Sequence, residues 1–178
     1  MALVFINGIP GAGKTTVCNE LKRRGYLARD TDWDYFARWR ESATGEWHDD
    51  QIASVDRDAA FYDKYEWVVD LVKVRALAAE ADAADATAYL TGSAANEHEI
   101  WPLATQVICL SVDDETLRHR LTTRTTSDYG KSDYELGLCL EWNATAAALN
   151  AEYGATVIDA TAPVDVVVDE VLRVSGTG

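Results

Sequence analysis

A glycine-rich segment near the start of the chain constrains the fold more strongly than any other feature. Residues 8–15 read GIPGAGKT and match the pattern G-x-x-x-x-G-K-[S/T] at every fixed position. An apolar run typical of a strand precedes this segment at residues 3–7, and a helix-compatible segment follows it at residues 15–24. In that setting the backbone N–H groups and the positive end of the helix point at a phosphate. The sequence therefore predicts a phosphate-binding loop at residues 8–15.

Within this loop, each residue type has its own task. The glycines let the backbone curl around a phosphate, Lys14 can reach the β- and γ-phosphate oxygens, and the Thr15 hydroxyl can coordinate Mg²⁺. A chance match in a tight turn is the alternative, and the flanking strand and helix count against it. We therefore predict a site for ATP and Mg²⁺, with nucleotide contacts from Gly8, Gly11, Ala12, Gly13, Lys14, Thr15 and Thr16.

Strand-like and helical segments alternate along the rest of the chain. Further strands are predicted at residues 26–29, 87–91, 106–112 and 156–158, and helices at 115–123 and 164–174. We assign the long interval between the second and third strands to two or three helices, the first at residues 33–40. Because parallel strands need crossover connections, this alternation predicts an α/β fold with three layers. Together with the phosphate loop, it indicates the three-layer P-loop NTPase fold. The expected sheet has five parallel strands, with helices on both faces.

We expect residues 1–178 to form a single domain, because no internal repeat, linker or low-complexity tract divides them. Within this domain, the helical interval at about residues 33–85 is the expected acceptor-binding region. A mobile lid is expected at about residues 118–134.

Charge and hydropathy limit the partners of the chain. Thirty acidic residues against sixteen basic ones give a net charge of −14, which repels polyanions, so we expect neither nucleic acid nor membrane as a partner. The apolar start lacks a basic leader and a cleavage site, and no stretch approaches the roughly 20 apolar residues of a membrane span. These features favour a cytoplasmic protein. The widely spaced Cys18, Cys109 and Cys139 are expected to be buried thiols.

Two carboxylates follow the second predicted strand, in the sequence Asp30-Thr31-Asp32. The carboxyl ends of parallel strands share one edge of a sheet, which places these residues beside the phosphate loop. A carboxylate there can accept a proton from a hydroxyl group or hold Mg²⁺ through water. Each of the three residues can instead cap a following helix. We assign Asp32 to the site, as the residue that orients or deprotonates an acceptor hydroxyl.

A basic segment follows the fourth predicted strand. Arg120 and Arg124 stand four residues apart and share one face of a helix, and the polar loop at residues 125–132 contains Lys131. Cations on a mobile lid stabilise the charge of a transferred phosphoryl group and exclude water from the closed site. The alternative is an exposed basic face that balances an acidic protein. We expect Arg120, Arg124 and Lys131 to close over the γ-phosphate.

The end of the third predicted strand distinguishes the classes of nucleotide-using protein. Residues 89–96 read YLTGSAAN and lack the acidic residue that commonly ends the Walker B strand of motor ATPases and GTPases. The sequence also lacks an N-K-x-D guanine signature. These features favour a kinase over a switch or a motor. The alternative is a nucleotide-gated regulatory NTPase that binds a protein partner.

The order of these motifs resembles that of the nucleoside monophosphate kinase and shikimate kinase group of P-loop kinases, across essentially the whole chain. Residues 117–124 are similar to the adenylate kinase lid entry, which implies that Arg120 packs on the adenine and Arg124 meets phosphate. The D-x-D sequence resembles that of shikimate kinase, which implies a Mg²⁺-linked role for Asp30 and acceptor binding by Asp32. The resemblance implies an ATP-dependent phosphotransferase that moves the γ-phosphate to a hydroxyl or phosphate of a small acceptor.

Two loops extend this resemblance. Gly92 falls where shikimate kinases have a glycine-rich turn that contacts the acceptor, which implies acceptor binding there. Residues 159–163, ending at Pro163, are similar to the loop that brackets the nucleotide base in this group. A simple turn in which Pro163 begins a helix is the alternative for that loop.

Aromatic and basic residues concentrate between the second and third predicted strands. Aromatic faces can stack a planar base or a sugar ring, and Arg38, Arg40 and Arg57 can hold an anionic group through paired hydrogen bonds. Ordinary helix packing is the alternative for the aromatic residues. Asn96 and Glu97 follow the third strand and are further candidates for acceptor contacts. The expected acceptor is a nucleoside, a nucleotide or a small hydroxylated metabolite.

Overall fold

Strands and helices alternate along the chain from its beginning. The computed structural model of the protein describes residues 2–48 and 57–177. In chain order, the strands and α-helices within these ranges are β1 (Ala2–Asn7), α1 (Lys14–Arg23), β2 (Leu27–Asp30), β3 (Ala37–Glu41), β4 (Trp47–His48), α2 (Ala59–Lys64), β5 (Tyr65–Val69), α3 (Leu71–Ala83), β6 (Thr87–Thr91), α4 (Glu97–Ile100), β7 (Gln106–Ser111), α5 (Asp114–Thr123), α6 (Asp133–Glu152), β8 (Thr156–Asp159) and α7 (Val164–Ser175). A 3₁₀ helix, Trp101–Leu103, follows α4. In these ranges, no helix combines the length and the apolar surface that crossing a bilayer requires.

Five of the strands form one parallel sheet, in the order β2-β6-β1-β7-β8. The central strand is β1, where Phe5 is paired with Leu90 of β6 on one side and with Val107 of β7 on the other. Both neighbours of β1 follow much later in the chain, so the connections between them cross over the sheet through helices. The predicted five-stranded parallel sheet is therefore confirmed, and the glycine-rich loop leaves its carboxyl edge.

Helices cover both faces of this sheet, because successive side chains of a strand point to opposite sides. Val4 and Ile6 pack on one face with residues of α1, α5 and α7. Leu3 and Phe5 pack on the other face with residues of α3 and α4. Burying each of these side chains contributes about 1.5–3 kcal/mol to folding. The predicted three-layer arrangement is therefore confirmed.

The cysteines contribute to these two clusters as apolar side chains. Cys18, Cys109 and Cys139 are buried and carry free thiols, as predicted. Burial raises the pKa of each thiol to about 11. The thiols are therefore protonated at neutral pH and poorly reactive, because the thiolate is the nucleophilic form.

A second, smaller sheet occupies part of the interval that we assigned to helices. Strand β3 pairs antiparallel with both β4 and β5, giving the order β4-β3-β5. The prediction of a helix at residues 33–40 is therefore wrong, since Ala37–Glu41 is a strand and turns precede it. The buried Trp39 lies between the more exposed Arg38 and Arg40. Alternation with a period of two suits a strand that has one face against the core.

Gly92, which follows β6, packs against Thr31 and does not line the cleft described below. A Cβ atom added at Gly92 would lie 2.0 Å from the Thr31 Oγ1 atom. Thr31 is itself fully buried, so it has no room to move aside. We expect Gly92→Ala to lower the free energy of unfolding by about 1–3 kcal/mol, the usual cost of overpacking a core. Urea unfolding followed by circular dichroism measures this change.

Gly137 offers a matched control for this substitution. It lies within α6, and apart from its chain neighbours and the backbone of its own helix, an added Cβ would meet no heavy atom of the described residues within 4 Å. Gly137→Ala should raise the free energy of unfolding by about 0.5–1 kcal/mol, because alanine favours a helix over glycine. If Gly92→Ala proved as stable as Gly137→Ala, the close packing of Gly92 against Thr31 would be contradicted.

Candidate active site

The backbone of the glycine-rich loop requires glycine at several positions. Gly8, Gly11 and Gly13 have φ angles of 143°, 92° and 103°, a region that side chains disfavour. A Cβ atom at Gly8 would lie 2.7 Å from the Leu110 carbonyl oxygen, and one at Gly11 would lie 2.7 Å from Leu117 Cδ1. Since Gly8 and Gly11 have no side chains, the loop can pack closely against β7 and α5.

The N-terminus of α1 opens at the end of this loop. Gly13 is the N-cap residue, and no side chain of the described residues caps the helix. The first N–H groups of a helix have no partner within the helix, so those of α1 are available to an anion. Uncapped N–H groups, a curled glycine backbone and an adjacent lysine together fit the phosphate chain of a nucleotide.

The ammonium group of Lys14 lies across the loop. Its Nζ atom donates to the carbonyl oxygens of Gly8, at 2.6 Å, and Ile9, at 2.9 Å. Burial lowers the pKa of Lys14, while the charges of Asp32 and Glu97 oppose that shift. A phosphate offers Lys14 a stronger, charge-assisted hydrogen bond than these carbonyls do. The lysine is thus held at the position where a bound phosphate would meet it.

Asp32 presents its carboxylate to the same cleft as Lys14. Its Oδ1 atom accepts a hydrogen bond from Trp67 Nε1, at 3.1 Å, and another from the Thr31 hydroxyl, at 3.1 Å. Solvent reaches Asp32 through the mouth of the cleft. Even so, burial between the walls of the cleft raises the pKa of its carboxyl group, and the negative charge of Asp30 raises it further. The indole fixes the direction of the carboxylate, which suits a group that must meet one substrate atom.

Asp30 has a different position from Asp32. It is buried, and its Oδ1 atom accepts hydrogen bonds from the backbone N–H groups of Asp32, at 3.0 Å, and Trp33, at 3.3 Å. Asp30 is not among the residues that line the cleft. Its contacts shape the turn after β2, and this turn directs Asp32 towards the phosphate loop.

Glu97, which begins α4, adds a second carboxylate to the cleft. Its Oε2 atom accepts a hydrogen bond from Asn7 Nδ2, at 2.9 Å, and its Oε1 atom accepts one from the Ala94 N–H, at 3.2 Å. Burial raises the pKa of Glu97, while Asn7 opposes that shift. The sequence suggested Glu97 only through its position after a strand.

The two arginines of the basic segment both line the cleft. Arg120 donates to the carbonyl oxygen of Ala12, at 3.1 Å, and to that of Ala160, at 2.8 Å, so it joins the phosphate loop to the loop after β8. Arg124 donates to the carbonyl oxygen of Tyr129, and burial lowers its pKa. Arg120 lies in the last turn of α5, and Arg124 is the residue that caps its C-terminus. The spacing of four residues therefore brings both guanidinium groups to the same site, and Pro163 lines it beside them.

Other candidates from the sequence lie outside the cleft. Lys131 is exposed and does not line it. Arg38 also lies outside, with its guanidinium 4.4 Å from the centre of the Trp47 ring. The Asn96 amide accepts from the N–H of Val69 and donates to its carbonyl oxygen, both at 3.0 Å, so it joins β5 to the loop after β6.

Arg57 lines the cleft, but its side chain is largely buried and lies against two carboxylates. Its Nε atom lies 3.0 Å from Glu135 Oε1, and its Nη2 atom lies 3.1 Å from Asp128 Oδ1. Tyr62 donates to Glu135 Oε1 at 2.7 Å, and the Gly130 N–H donates to Glu135 Oε2 at 2.8 Å. This cluster joins the region before α2 to the loop after α5. No local motif marked Glu135 in the sequence.

The cleft that collects these side chains has a volume of about 1690 Å³. Sites for one drug-sized ligand measure roughly 300–1,000 Å³, so this cleft has room for two ligands side by side. Six aromatic residues from the interval between β2 and α3 line this cleft: Trp33, Tyr35, Trp39, Tyr62, Tyr65 and Trp67.

The strand order divides the cleft into two sides. Asp32 and Glu97 follow β2 and β6, which lie on one side of β1, and we call this the carboxylate side. Arg120 and Arg124 follow β7, on the other side of β1, and we call this the arginine side. The phosphate loop lies between them, so a nucleotide on the arginine side would direct its terminal phosphate towards Asp32.

A phosphate loop at the carboxyl edge of a five-stranded parallel sheet, flanked by carboxylates and arginines, defines a P-loop protein with the fold of the small-molecule kinases. The chain belongs to the AAA domain family, whose model matches residues 4–137. No curated protein sequence matches the chain.

Solved structures that share this fold include three kinases. One is a sugar kinase from Janibacter sp. HTCC2649, at 19% identity and a TM-score of 0.53, covering 97% of this chain and 93% of that one. Shikimate kinase from Bacteroides thetaiotaomicron has 16% identity and a TM-score of 0.53, with 97% of each chain covered. Deoxyadenosine kinase from M. mycoides, with dCMP and dCDP bound, has 17% identity and a TM-score of 0.55, with 98% of each chain covered. These likenesses confirm the predicted fold.

Proposed function

We propose that the protein is an ATP-dependent phosphotransferase that moves the γ-phosphate of ATP·Mg²⁺ to a small acceptor. The observation that carries this proposal is the position of Asp32, which faces the cleft beside the phosphate-loop lysine and is oriented by Trp67. A nucleotide-gated switch needs no such carboxylate, whereas transfer to a hydroxyl group needs a proton acceptor beside the γ-phosphate. The kinases among the solved structures with this fold support the same reaction class.

In this mechanism, the acceptor hydroxyl lies between Asp32 and the γ-phosphate. As the hydroxyl oxygen forms its bond to phosphorus, the bond between phosphorus and the β,γ-bridging oxygen breaks, and ADP leaves with that electron pair. Asp32 takes the hydroxyl proton. Lys14, Arg120 and Arg124 stabilise the negative charge that spreads over the transferred group. Closure of the loop after α5 would exclude water, which is a competing acceptor.

The donor set around the phosphate loop fits Mg²⁺ shared with a nucleotide. Among the described residues, no group of three or more His, Cys, Asp or Glu side chains is arranged to hold a metal. Mg²⁺ commonly takes one or two protein ligands and completes its shell with phosphate oxygens and water. We propose that the Thr15 hydroxyl supplies one ligand. The Mg²⁺-linked role that the resemblance implied for Asp30 is not supported, because Asp30 is buried outside the cleft lining, so phosphate oxygens and water would complete the shell. The bound ion would neutralise charge on the β- and γ-phosphates.

The raised pKa of Asp32 makes the reaction depend on pH. Asp32 accepts a proton only when ionised, so kcat/KM should fall as the pH drops through its pKa. Because that pKa lies above the ordinary value of about 3.9, the fall should begin at a higher pH than for a free aspartate. Steady-state rates between about pH 4 and pH 8 measure this limb. A flat profile over this range, with the protein still folded, would contradict the proton-accepting role.

Acceptor-dependent release of ADP tests the proposed function. The purified protein with ATP and Mg²⁺ is mixed with nucleosides, nucleotides, sugars and hydroxy acids, and ADP is measured by a coupled assay. A phosphotransferase releases ADP faster when its acceptor is present and forms a phosphorylated product. A regulatory NTPase turns over slowly, and no small molecule accelerates it. That second result would overturn the proposal in favour of the switch.

A further inference from the structure

Charge is distributed unevenly around the cleft. The phosphate loop and the arginine side carry Lys14, Arg120 and Arg124, which can meet the negative charge of a triphosphate. The carboxylate side, where the acceptor would bind, presents Asp32 and Glu97. Both carboxylates lie close enough to Lys14 for their charges to raise its pKa. An acceptor that binds on the carboxylate side therefore lies next to two negatively charged groups, Asp32 and Glu97.

The charge of Arg57 is already balanced by protein carboxylates. Only 8% of its side chain is exposed, and Glu135 and Asp128 lie 3.0 Å and 3.1 Å from its guanidinium nitrogens. Moving Arg57 away from these partners would leave the buried Glu135 carboxylate without its cation, which is strongly unfavourable. Arg57 is therefore poorly placed to hold an anionic acceptor, although it lines the cleft.

The arginines of the small sheet do not supply a cation to the cleft either. Arg40 donates twice to Glu66 Oε1, at 2.7 Å and 3.0 Å, and lies outside the cleft lining. Arg38 lies outside the lining as well, with its guanidinium over the Trp47 ring. Glu66 does line the cleft, and Arg40 balances its charge, so this pair adds no net charge to the site.

Residues 49–56 lie in the same interval of the chain, outside the described residues. Their sequence is DDQIASVD, which contains three aspartates and no lysine, arginine or histidine. Whatever position they take, they bring no cation to the cleft. Residues 49–56 therefore cannot neutralise the carboxylates on the carboxylate side of the cleft, wherever they lie.

We propose that the acceptor is an alcohol without negative charge at neutral pH, and that a protonated amine near its reacting hydroxyl strengthens binding. This inference rests on the proposed function and narrows its acceptor class. Asp32 and Glu97 attract an ammonium group and repel a phosphate or carboxylate. The aromatic lining of the cleft, to which Trp67 belongs, also favours a cation over an anion. Hydroxylated amines, such as amino sugars, combine these features, and a neutral sugar or nucleoside also satisfies the charge requirement.

Matched acceptors that differ in charge test this inference. Glucose, glucosamine and gluconate form one set, and cytidine and its monophosphate form another. With ATP and Mg²⁺ present, ADP release is measured for each compound, and Lys14→Ala serves as the enzyme blank. We expect kcat/KM for the neutral or amine-bearing member to exceed that of its anionic counterpart at least about tenfold, because like charges oppose binding.

The variant Glu97→Gln tests the origin of the preference, since glutamine keeps the shape of the side chain and removes its charge. We expect it to reduce the preference for an amine-bearing acceptor over an anionic one by about fivefold to tenfold. Glu99→Gln is the control, because Glu99 lies on the same short helix but is exposed and outside the cleft lining. It should leave the preference unchanged.

The outcomes separate the inference from the proposed function. If gluconate or the nucleoside monophosphate is the better acceptor in its set, the inference is overturned while phosphotransfer stands. If Glu97→Gln and Glu99→Gln leave the amine preference equally strong, the assignment of that preference to Glu97 is overturned. If the protein binds ATP·Mg²⁺ and no compound accelerates ADP release, the proposed function fails and the inference fails with it.

Discussion

Lys14→Ala is expected to remove nearly all ATP-dependent turnover. The Lys14 ammonium lies within the curl of the phosphate loop, held by two carbonyl oxygens of that loop. Losing a charged donor of this kind costs on the order of 10²–10³-fold in turnover, because the transferred phosphoryl group loses a preorganised countercharge. Affinity for ATP should fall about tenfold to a hundredfold, in line with the 1.5–3 kcal/mol of a hydrogen bond to a charged group. Calorimetry with ATP·Mg²⁺ and an ADP-release assay measure the two effects.

Arg23→Ala is the matched control for this variant. Arg23 lies at the far end of the same helix, is paired with Glu20 and is mostly exposed. Its removal deletes one positive charge from α1 without changing the cleft, so ATP affinity and turnover should stay within about twofold of the unmodified protein. Thermal unfolding of both variants separates a binding defect from a folding defect. Unchanged ATP affinity in well-folded Lys14→Ala would contradict the phosphate-loop assignment.

Asp32→Asn is expected to separate ATP binding from phosphate transfer. Asparagine has nearly the same shape and still accepts a hydrogen bond from Trp67 Nε1, so the cleft should keep its geometry. It cannot take the acceptor proton, and transfer should fall about 10²–10⁴-fold, the usual contribution of general base catalysis. ATP affinity should change by less than about threefold, since Asp32 makes no attractive contact with the phosphates. Single-turnover transfer and calorimetry give both values.

Asp63→Asn serves as the control for Asp32→Asn. Asp63 lies on α2, is exposed and does not line the cleft. The variant also removes one carboxylate from the same interval of the chain, so the net charge change is matched. Transfer at the rate of the unmodified protein is expected for Asp63→Asn. If Asp32→Asn transferred phosphate equally fast, or lost ATP affinity as severely as Lys14→Ala, the proton-accepting role would be excluded.

The parts of the site that could be predicted from sequence are those built from short stretches of chain. The phosphate loop is complete within residues 8–15, and the spacing of Arg120 and Arg124 already placed them on one helical face. The two carboxylates at residues 30 and 32 were also evident, but the sequence did not show which of them would face the cleft. One carboxylate turns inward to hold backbone N–H groups and the other faces the cleft, which depends on a turn that follows β2.

The region before β6 shows why the remaining parts could not be predicted. Its strands are short, and a buried tryptophan between two arginines fits one turn of a helix as well as a strand until a partner is known. The partner of β3 is β5, where Arg40 meets Glu66 across 26 residues of chain. Trp67 likewise reaches Asp32 across 35 residues. Pairings of this kind depend on how the whole chain folds back, and no local pattern specifies them.

The phosphate loop and the alternation of strands with helices follow from the amino-acid sequence alone, because dihedral preferences and hydrophobic periodicity act over a few neighbouring residues. Which charges meet across the cleft depends instead on the folded chain as a whole. Folding set Asp32 beside Lys14, balanced Arg57 with Glu135, and put Asp32 and Glu97 on the carboxylate side of the cleft. Electrostatic contacts depend on distance and burial, and these are fixed only when segments far apart in the chain pack together.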